Sequence, residues 1–260
     1  MNLANQVIDW LQLQRKLKRF KNVVIGISGG KDSTVVATLC VEAFGVEHVH
    51  GLLMPNGEQK DIQDSIDVCK FLNIAYDIKN IKSIFDAYTK LFPEIINPNE
   101  SIGFAAKTNL PARIRMGALY AYAQSHESTF VIGTCNRSED IVGYATWGGD
   151  NFASLMPIAK LTTEEVIQMG LDMGIPEKFV KKTPVDGLQP LSDEEKLGFT
   201  YHEVNELIRE GKIGLNFTKI LHMYECNKFK LDYLKIPSFQ PLLPDAFDLH
   251  WFDNFFTSLT

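Results

Sequence analysis

Long apolar runs are missing from this chain. No window approaches the ~18 consecutive apolar residues that a membrane helix needs, so no membrane partner is expected. A cationic excess is missing too. Lys and Arg number 26 against 32 Asp and Glu, a formal net charge of −6, and a mildly acidic surface argues against a broad nucleic-acid footprint. The basic cluster Arg15, Lys16, Lys18, Arg19 and Lys21 reads as a solvated helix face. Cysteine is scarce. Cys40, Cys69, Cys135 and Cys226 form no Cys-x-x-Cys or Cys/His ligand spacing, which excludes a zinc knuckle or disulfide framework and fits a reducing cytoplasm. The six histidines show no ligand spacing either. Met1-Asn2-Leu3-Ala4-Asn5-Gln6 has no basic stretch followed by an apolar core, so no secretory leader is expected.

What is present is alternation. Val23 to Ile27 is a short β-branched run, apolar on both faces as in a central parallel strand. Further strands are expected over 49–54, 75–81 and 130–133. Between them the spacing predicts helices over 33–44, 61–72, 84–92 and 105–124, with 93–102 a loop. An amphipathic helix comes first, over 7–20, carrying Val7, Leu11, Leu13 and Leu17. Phe85, Tyr88 and Phe92 lie at helical spacing and are expected in the core. Strands alternating with helices imply an α/β fold, a doubly wound and mostly parallel sheet flanked by helices. Later, Thr162 with Glu165 reads as a capping box, residues 183–198 as a mobile loop and 201–226 as helix. The 260 residues read as a single domain with a C-terminal extension from about Pro237.

The most informative residues are Ser28-Gly29-Gly30-Lys31-Asp32-Ser33, directly after a strand and directly before a helix. Backbone N–H groups at such a turn, with the helix dipole behind them, bind phosphate or pyrophosphate. A Walker A loop is excluded because Asp32 separates Lys31 from Ser33, and Gly-x-Gly-x-x-Gly is absent. A carboxylate at Asp32 would repel bound phosphate unless the two share a magnesium ion. Glu139, after the fourth strand, is either a helix-start acid favoured by the dipole or a second metal ligand.

This loop resembles that of the N-type ATP pyrophosphatases, an adenine nucleotide alpha hydrolase-like fold. Further segments resemble the NAD synthetases within that superfamily, in collinear order over roughly residues 20 to 240. They are Asn109-Leu110-Pro111-Ala112-Arg113-Ile114-Arg115-Met116, Gly133-Thr134 through Glu139, Gly143-Tyr144, Gly149-Asp150, Pro157-Ile158, Thr183 to Leu188, Ser192-Asp193-Glu194 and Asn227-Lys228-Phe229-Lys230. The resemblance implies an ammonia-dependent ligase. Its members adenylate the nicotinate carboxylate of deamido-NAD with ATP, release pyrophosphate, and let ammonia displace AMP to give NAD. It implies that Gly26, Ile27, Ser28, Gly29, Gly30, Lys31, Asp32, Ser33 and Thr134 bind ATP, with Lys31 and Asp32 catalytic. Asp32 and Glu139 would hold Mg2+, and Arg113, Lys228 and Lys230 would meet deamido-NAD. It also implies a homodimer.

The chain departs from the family pattern where the acceptor would bind. Trp147 stands where members often carry lysine, Ser154 where an acid is common, Thr163 where many have lysine, and Val185 where Ser or Thr is usual. Lost charged contacts to an anionic acceptor leave two alternatives open. One is an adenylating ligase of the same superfamily with a different acceptor; the other is a nucleotide-binding module without catalysis.

Overall fold

The computed structural model describes residues 2–59, 61–96, 101–181, 193–232 and 239. The first half alternates as expected: α1 (Leu3–Lys18), β1 (Asn22–Gly26), α2 (Lys31–Phe44), β2 (Val49–Leu53), α3 (Ile62–Phe71), β3 (Ala75–Ile78), α4 (Lys82–Leu91), α5 (Ser101–Ser125) and β4 (Thr129–Ile132). The second half is helical: α6 (Arg137–Val142), α7 (Thr163–Asp172), α8 (Glu177–Val180), α9 (Asp193–Leu197), α10 (Tyr201–Glu210), α11 (Phe217–Asn227) and α12 (Phe229–Asp232).

The four strands are parallel in the order β3-β2-β1-β4. Side chains along β1 go alternately to the two faces. Val23 and Ile25 join a cluster with Val7, Leu11, Val35, Leu39 and Val68, while Val24 joins Leu52, Ile114, Leu119 and Val131 on the other face. Helices on both faces remove both from water, which is why Val23, Val24 and Ile25 are all apolar. Each wholly buried Leu or Ile contributes about 1.5–3 kcal/mol, and Leu11, Ile25, Leu39, Leu52 and Ile132 are of that kind. A third cluster, including Ile141, Val204, Leu207, Ile220 and Tyr224, joins α6, α10 and α11.

Because β2 lies on one side of β1 and β4 on the other, the chain leaves β1 in opposite directions. The crevice at the carboxyl ends of β1 and β4 is thus a topological switch point, the place where open α/β sheets bind ligands.

Several expectations change. α1 begins at Leu3, capped by the Asn2 side chain, and buries Ala4, Val7 and Leu11; Leu13 and Leu17 are exposed. Those two leucines fall off the stripe that faces the sheet. Tyr88 and Phe92 are exposed rather than core. A 3-10 turn at Pro93–Ile96 and the start of α5 at Ser101 occupy part of the expected 93–102 loop. Residues 193–197 are helix within the segment read as loop, with three acids in the first turn facing the positive end of the dipole. The expected helix 201–226 is two helices, because Gly211 adopts φ 65° and ends α10. The tail from Pro237 lies outside the described residues except for Phe239, whose ring meets Trp10 edge-on.

Candidate active site

Ser28, Gly29 and Gly30 cross from β1 to α2 at the switch point. Gly29 has φ 77°, and a Cβ there would lie 2.9 Å from both Asp64 Cβ and Ser65 N, so the turn admits only glycine. Gly30 is the N-cap of α2 and offers no side-chain cap, which leaves first-turn N–H groups for an anion. Ser33 Oγ braces the loop, donating to Gly30 O at 3.1 Å and accepting from Ser28 N at 3.3 Å.

A cleft of about 200 Å³ opens here, lined by Ser28, Gly30, Asp32, Ser33, Thr134, Cys135, Glu139, Tyr144 and Asp150. Pockets enclosing a whole organic ligand run to about 300–1,000 Å³, so this one suits a polyphosphate with the remainder of a nucleotide outside it.

The cleft is acidic with one buried cation. Lys31 Nζ donates to Asp32 Oδ2 at 2.8 Å, and both side chains are largely out of solvent. Burial works against the Lys31 charge, yet Asp32, then Glu139 and Asp193, hold its pKa above the ordinary lysine value. Glu139 is fixed by its backbone: Asn136 and Glu139 form a capping box at the start of α6. Its deep position and the nearby charge of Asp32 push the Glu139 carboxyl well above the usual range, only partly offset by Lys31. A buried carboxyl facing a second carboxylate suits a divalent cation, which would relieve that repulsion. Among the described residues no cluster of three or more His, Cys, Asp or Glu could hold a metal. Mg2+ characteristically takes one or two carboxylates, waters and substrate phosphates rather than an all-protein cage, so the donor set fits.

Of the sequence-derived phosphate and metal candidates, Ser28, Gly30, Asp32, Ser33, Thr134 and Glu139 share one cleft, with Lys31 bound to Asp32; Gly26 closes β1, Ile27 packs in the core and Gly29 shapes the turn, and none of the three lines the cleft. The acceptor candidates do not line it. Arg113 is exposed on α5, its Nε donating to Trp147 O at 3.1 Å. Lys230 Nζ donates to Gly143 O at 2.7 Å and Ala145 O at 3.0 Å, so its ammonium tethers the chain after α6. Lys228 pairs with Glu225 at 2.9 Å. The exposed Trp147 ring meets Phe229 edge-on, centroids 5.5 Å apart. Of the other departures, Ser154 Oγ accepts from Val131 N at 3.2 Å, Thr163 is buried against Asn136, and Val185 lies outside the described residues.

Sequence reasoning gave no role to Asn136, Tyr144 or Asp193. Tyr144 donates to Asp193 Oδ1 at 2.8 Å at the cleft wall. Asn136 had a legible signal, since Asn-x-x-Glu before an apolar pair is a capping-box pattern.

Fold and cleft together define an α/β nucleotide-binding enzyme of the ATP pyrophosphatase class. Residues 3–233 match the family model described as NAD synthase, and the chain belongs to that family. It is 41% identical over 210 residues to the NH(3)-dependent NAD(+) synthetase of Pyrococcus horikoshii, covering 78% of this chain and 79% of that one. To the enzyme of the same name from Wolinella succinogenes it is 37% identical over 209 residues, covering 79% and 78%. Among solved structures it is similar to an NMN synthetase from Francisella tularensis, with a TM-score of 0.80, 28% identity and coverage of 93% and 98%. An NH3-dependent NAD synthetase from Campylobacter jejuni has a TM-score of 0.70, 30% identity and coverage of 90% and 96%.

Proposed function

We propose that the chain is a carbon–nitrogen ligase of NAD biosynthesis that amidates deamido-NAD with ammonia, using ATP and giving NAD, AMP and pyrophosphate. The observation that carries this reading is the convergence of the Ser28–Gly30 loop with Asp32 and Glu139 at the β1/β4 switch point, in a chain 36–41% identical to curated ammonia-dependent synthetases.

In the first step a carboxylate oxygen of the acceptor attacks the α-phosphorus of ATP. The bond to the bridging α–β oxygen breaks, and pyrophosphate leaves. Loop N–H groups of 28–30 and the first turn of α2 hold the phosphates and receive the charge of the departing group. Lys31 stays protonated among its carboxylates and contributes positive charge without giving up a proton. Asp32 and Glu139 would hold Mg2+, with Thr134 beside the nucleotide. When bound, the cation neutralises charge developing on the phosphates. In the second step ammonia attacks the activated carbonyl, AMP leaves with the bonding pair, and the nitrogen loses a proton to solvent. Positioning two anionic reactants is a large part of the protein's contribution. Arg113, Lys228 and Lys230 are the acceptor-side candidates, Lys230 by holding Gly143 and Ala145 in place.

A second acceptor has a specific observation in its favour. The likeness to the NMN synthetase has the higher TM-score of the two reported, and Trp147 replaces a lysine that the family often presents to its substrate. A mononucleotide also lacks the adenylate half that a dinucleotide acceptor must bring into the site. The test is one coupled assay with ATP, Mg2+ and ammonium, run with deamido-NAD or with nicotinate mononucleotide as the acceptor. A kcat/KM ratio of tenfold or more in either direction assigns the acceptor. Pyrophosphate release with neither sends the search to other carboxylates, and ATP binding without release would leave a non-catalytic module.

We read residues 1–260 as one domain, extended beyond about 237. A homodimer is supported by Ile84, Tyr88, Leu91 and Phe92, exposed apolar residues at i, i+4, i+7 and i+8; light scattering tests it. No helix among the described residues is long and apolar enough to cross a membrane. Four free thiols support a reducing, cytoplasmic setting.

A further inference from the structure

Asn136 is wholly buried and touches both cleft carboxylates. Its Oδ1 accepts from Ser138 N at 3.0 Å and Glu139 N at 3.1 Å, and its own N–H donates to Glu139 Oε2 at 3.1 Å. Its Nδ2 donates to Asp32 Oδ1 at 3.0 Å. The orientation of the amide follows from these partners. Two backbone N–H groups need an acceptor, so the nitrogen must face the carboxylate.

Helix capping does not explain why the residue is asparagine. Asn, Asp and Ser cap about equally well, and Ser-x-x-Glu is the commoner form of the capping box. Serine has no second polar atom to reach Asp32, and aspartate would set a third carboxylate against two that already repel. Only asparagine caps α6 and also donates a neutral hydrogen bond to Asp32. A buried network holds it there: Thr163 Oγ1 donates to Asn136 Oδ1 at 3.3 Å, Ser138 Oγ accepts from Thr163 N at 3.0 Å, and Ser138 Oγ donates to Asn205 Oδ1 at 2.6 Å.

We propose that Asn136 is a positioning residue that sets the spacing and orientation of Asp32 and Glu139 for the cation that accompanies the ATP phosphates. The inference rests on reading that pair as the cation site. Asn136 does not meet the nucleotide. It fixes Asp32 through its amide and Glu139 through the helix it starts, so that both carboxylates are preorganised when the metal arrives.

The experiment uses the full chain, Mn2+ as the probe and a non-hydrolysable α,β-methylene ATP, with bound metal followed by electron paramagnetic resonance. Asn136→Ser keeps the capping box and deletes only the reach to Asp32. Its melting temperature is expected to stay near that of the parent chain, while Mn2+ binds 10–100-fold more weakly, the range typical of lost outer-shell partners. The Mg2+ concentration for half-maximal activity should rise by a similar factor. Asn136→Gly, also tolerated at N-caps, serves as the second variant and should show the same loss. Parent-like Mn2+ affinity in a folded Asn136→Ser or Asn136→Gly chain overturns the proposal, because a residue that only caps would leave metal binding unmoved. Asp32→Asn is the control. If Asp32→Asn also binds Mn2+ as the parent does, the cation site itself is misplaced and the proposal falls with it.

Discussion

Arg209 grips Glu165 with two parallel hydrogen bonds, Nε to Oε1 at 2.7 Å and Nη2 to Oε2 at 2.8 Å. Glu165 is at the same time the closing residue of the Thr162 capping box on α7, and Arg209 also donates to Lys160 O at 2.8 Å. One guanidinium thereby fastens α10 to α7 and to the chain just before it. Arg209→Ala is expected to lower stability by about 2–3 kcal/mol, less than the ~3–5 for breaking a wholly buried pair, because the side chains keep 17% and 21% of their exposure. At about 2–4 °C per kcal/mol for a chain of this size, the melting temperature should fall by roughly 4–12 °C. Calorimetric melting checks it, and kcat of the folded fraction at 25 °C should be unchanged.

Asp32→Asn keeps the shape of the side chain and removes its charge beside Lys31 and Glu139. NAD formation should fall by at least about 100-fold, the scale of losing one preorganised electrostatic group. ATP binding by calorimetry in the absence of divalent ions should be retained. An unchanged rate would remove Asp32 from the reaction.

Gly29→Ala forces a side chain into the left-handed region, costing about 1–2 kcal/mol, and drives its Cβ against Asp64 and Ser65. The loop must move to fit it. KM for ATP should rise tenfold or more with KM for the acceptor nearly unchanged. Steady-state kinetics with each substrate varied in turn decides this.

His50 lies at the opposite end of the sheet from the cleft, stacked on Tyr122 and 3.1 Å from Asp77. Burial holds its pKa below the ordinary histidine value, with Asp77 opposing that shift. The unfolded chain therefore takes up the His50 proton first as pH falls through about 6.5. The stability this group contributes is present above that pH and lost as pH drops toward its lower folded pKa. His50→Gln should flatten the fall of melting temperature between pH 7 and 5. A parallel curve for parent and variant would rule out this contribution.

How much of this was legible in sequence follows from what is local. β1, the glycine turn and α2 were readable because a β-branched run, two glycines and a helix start are adjacent in the chain. So was the Thr162 box. The split at Gly211 was not, since a glycine within a helical pattern reads equally as tolerated or as a stop. The exposure of Tyr88 and Phe92 depends on which face of α4 meets the sheet, which spacing alone does not give. Lys230 looked like a ligand-binding cation, and only the fold places two backbone carbonyls against its ammonium.

The bond between Asn136 and Asp32 spans 104 residues. β4 must be synthesised and paired with β1 before the two meet, although the glycine turn leaves the ribosome much earlier. Long-range closure of that kind slows folding. The nascent chain thus carries its glycine turn for much of its synthesis without the second half of the cleft. A nucleotide that binds only the finished arrangement would pull the folding equilibrium toward it by mass action. Cellular ATP should act as a folding partner for this chain as well as its fuel.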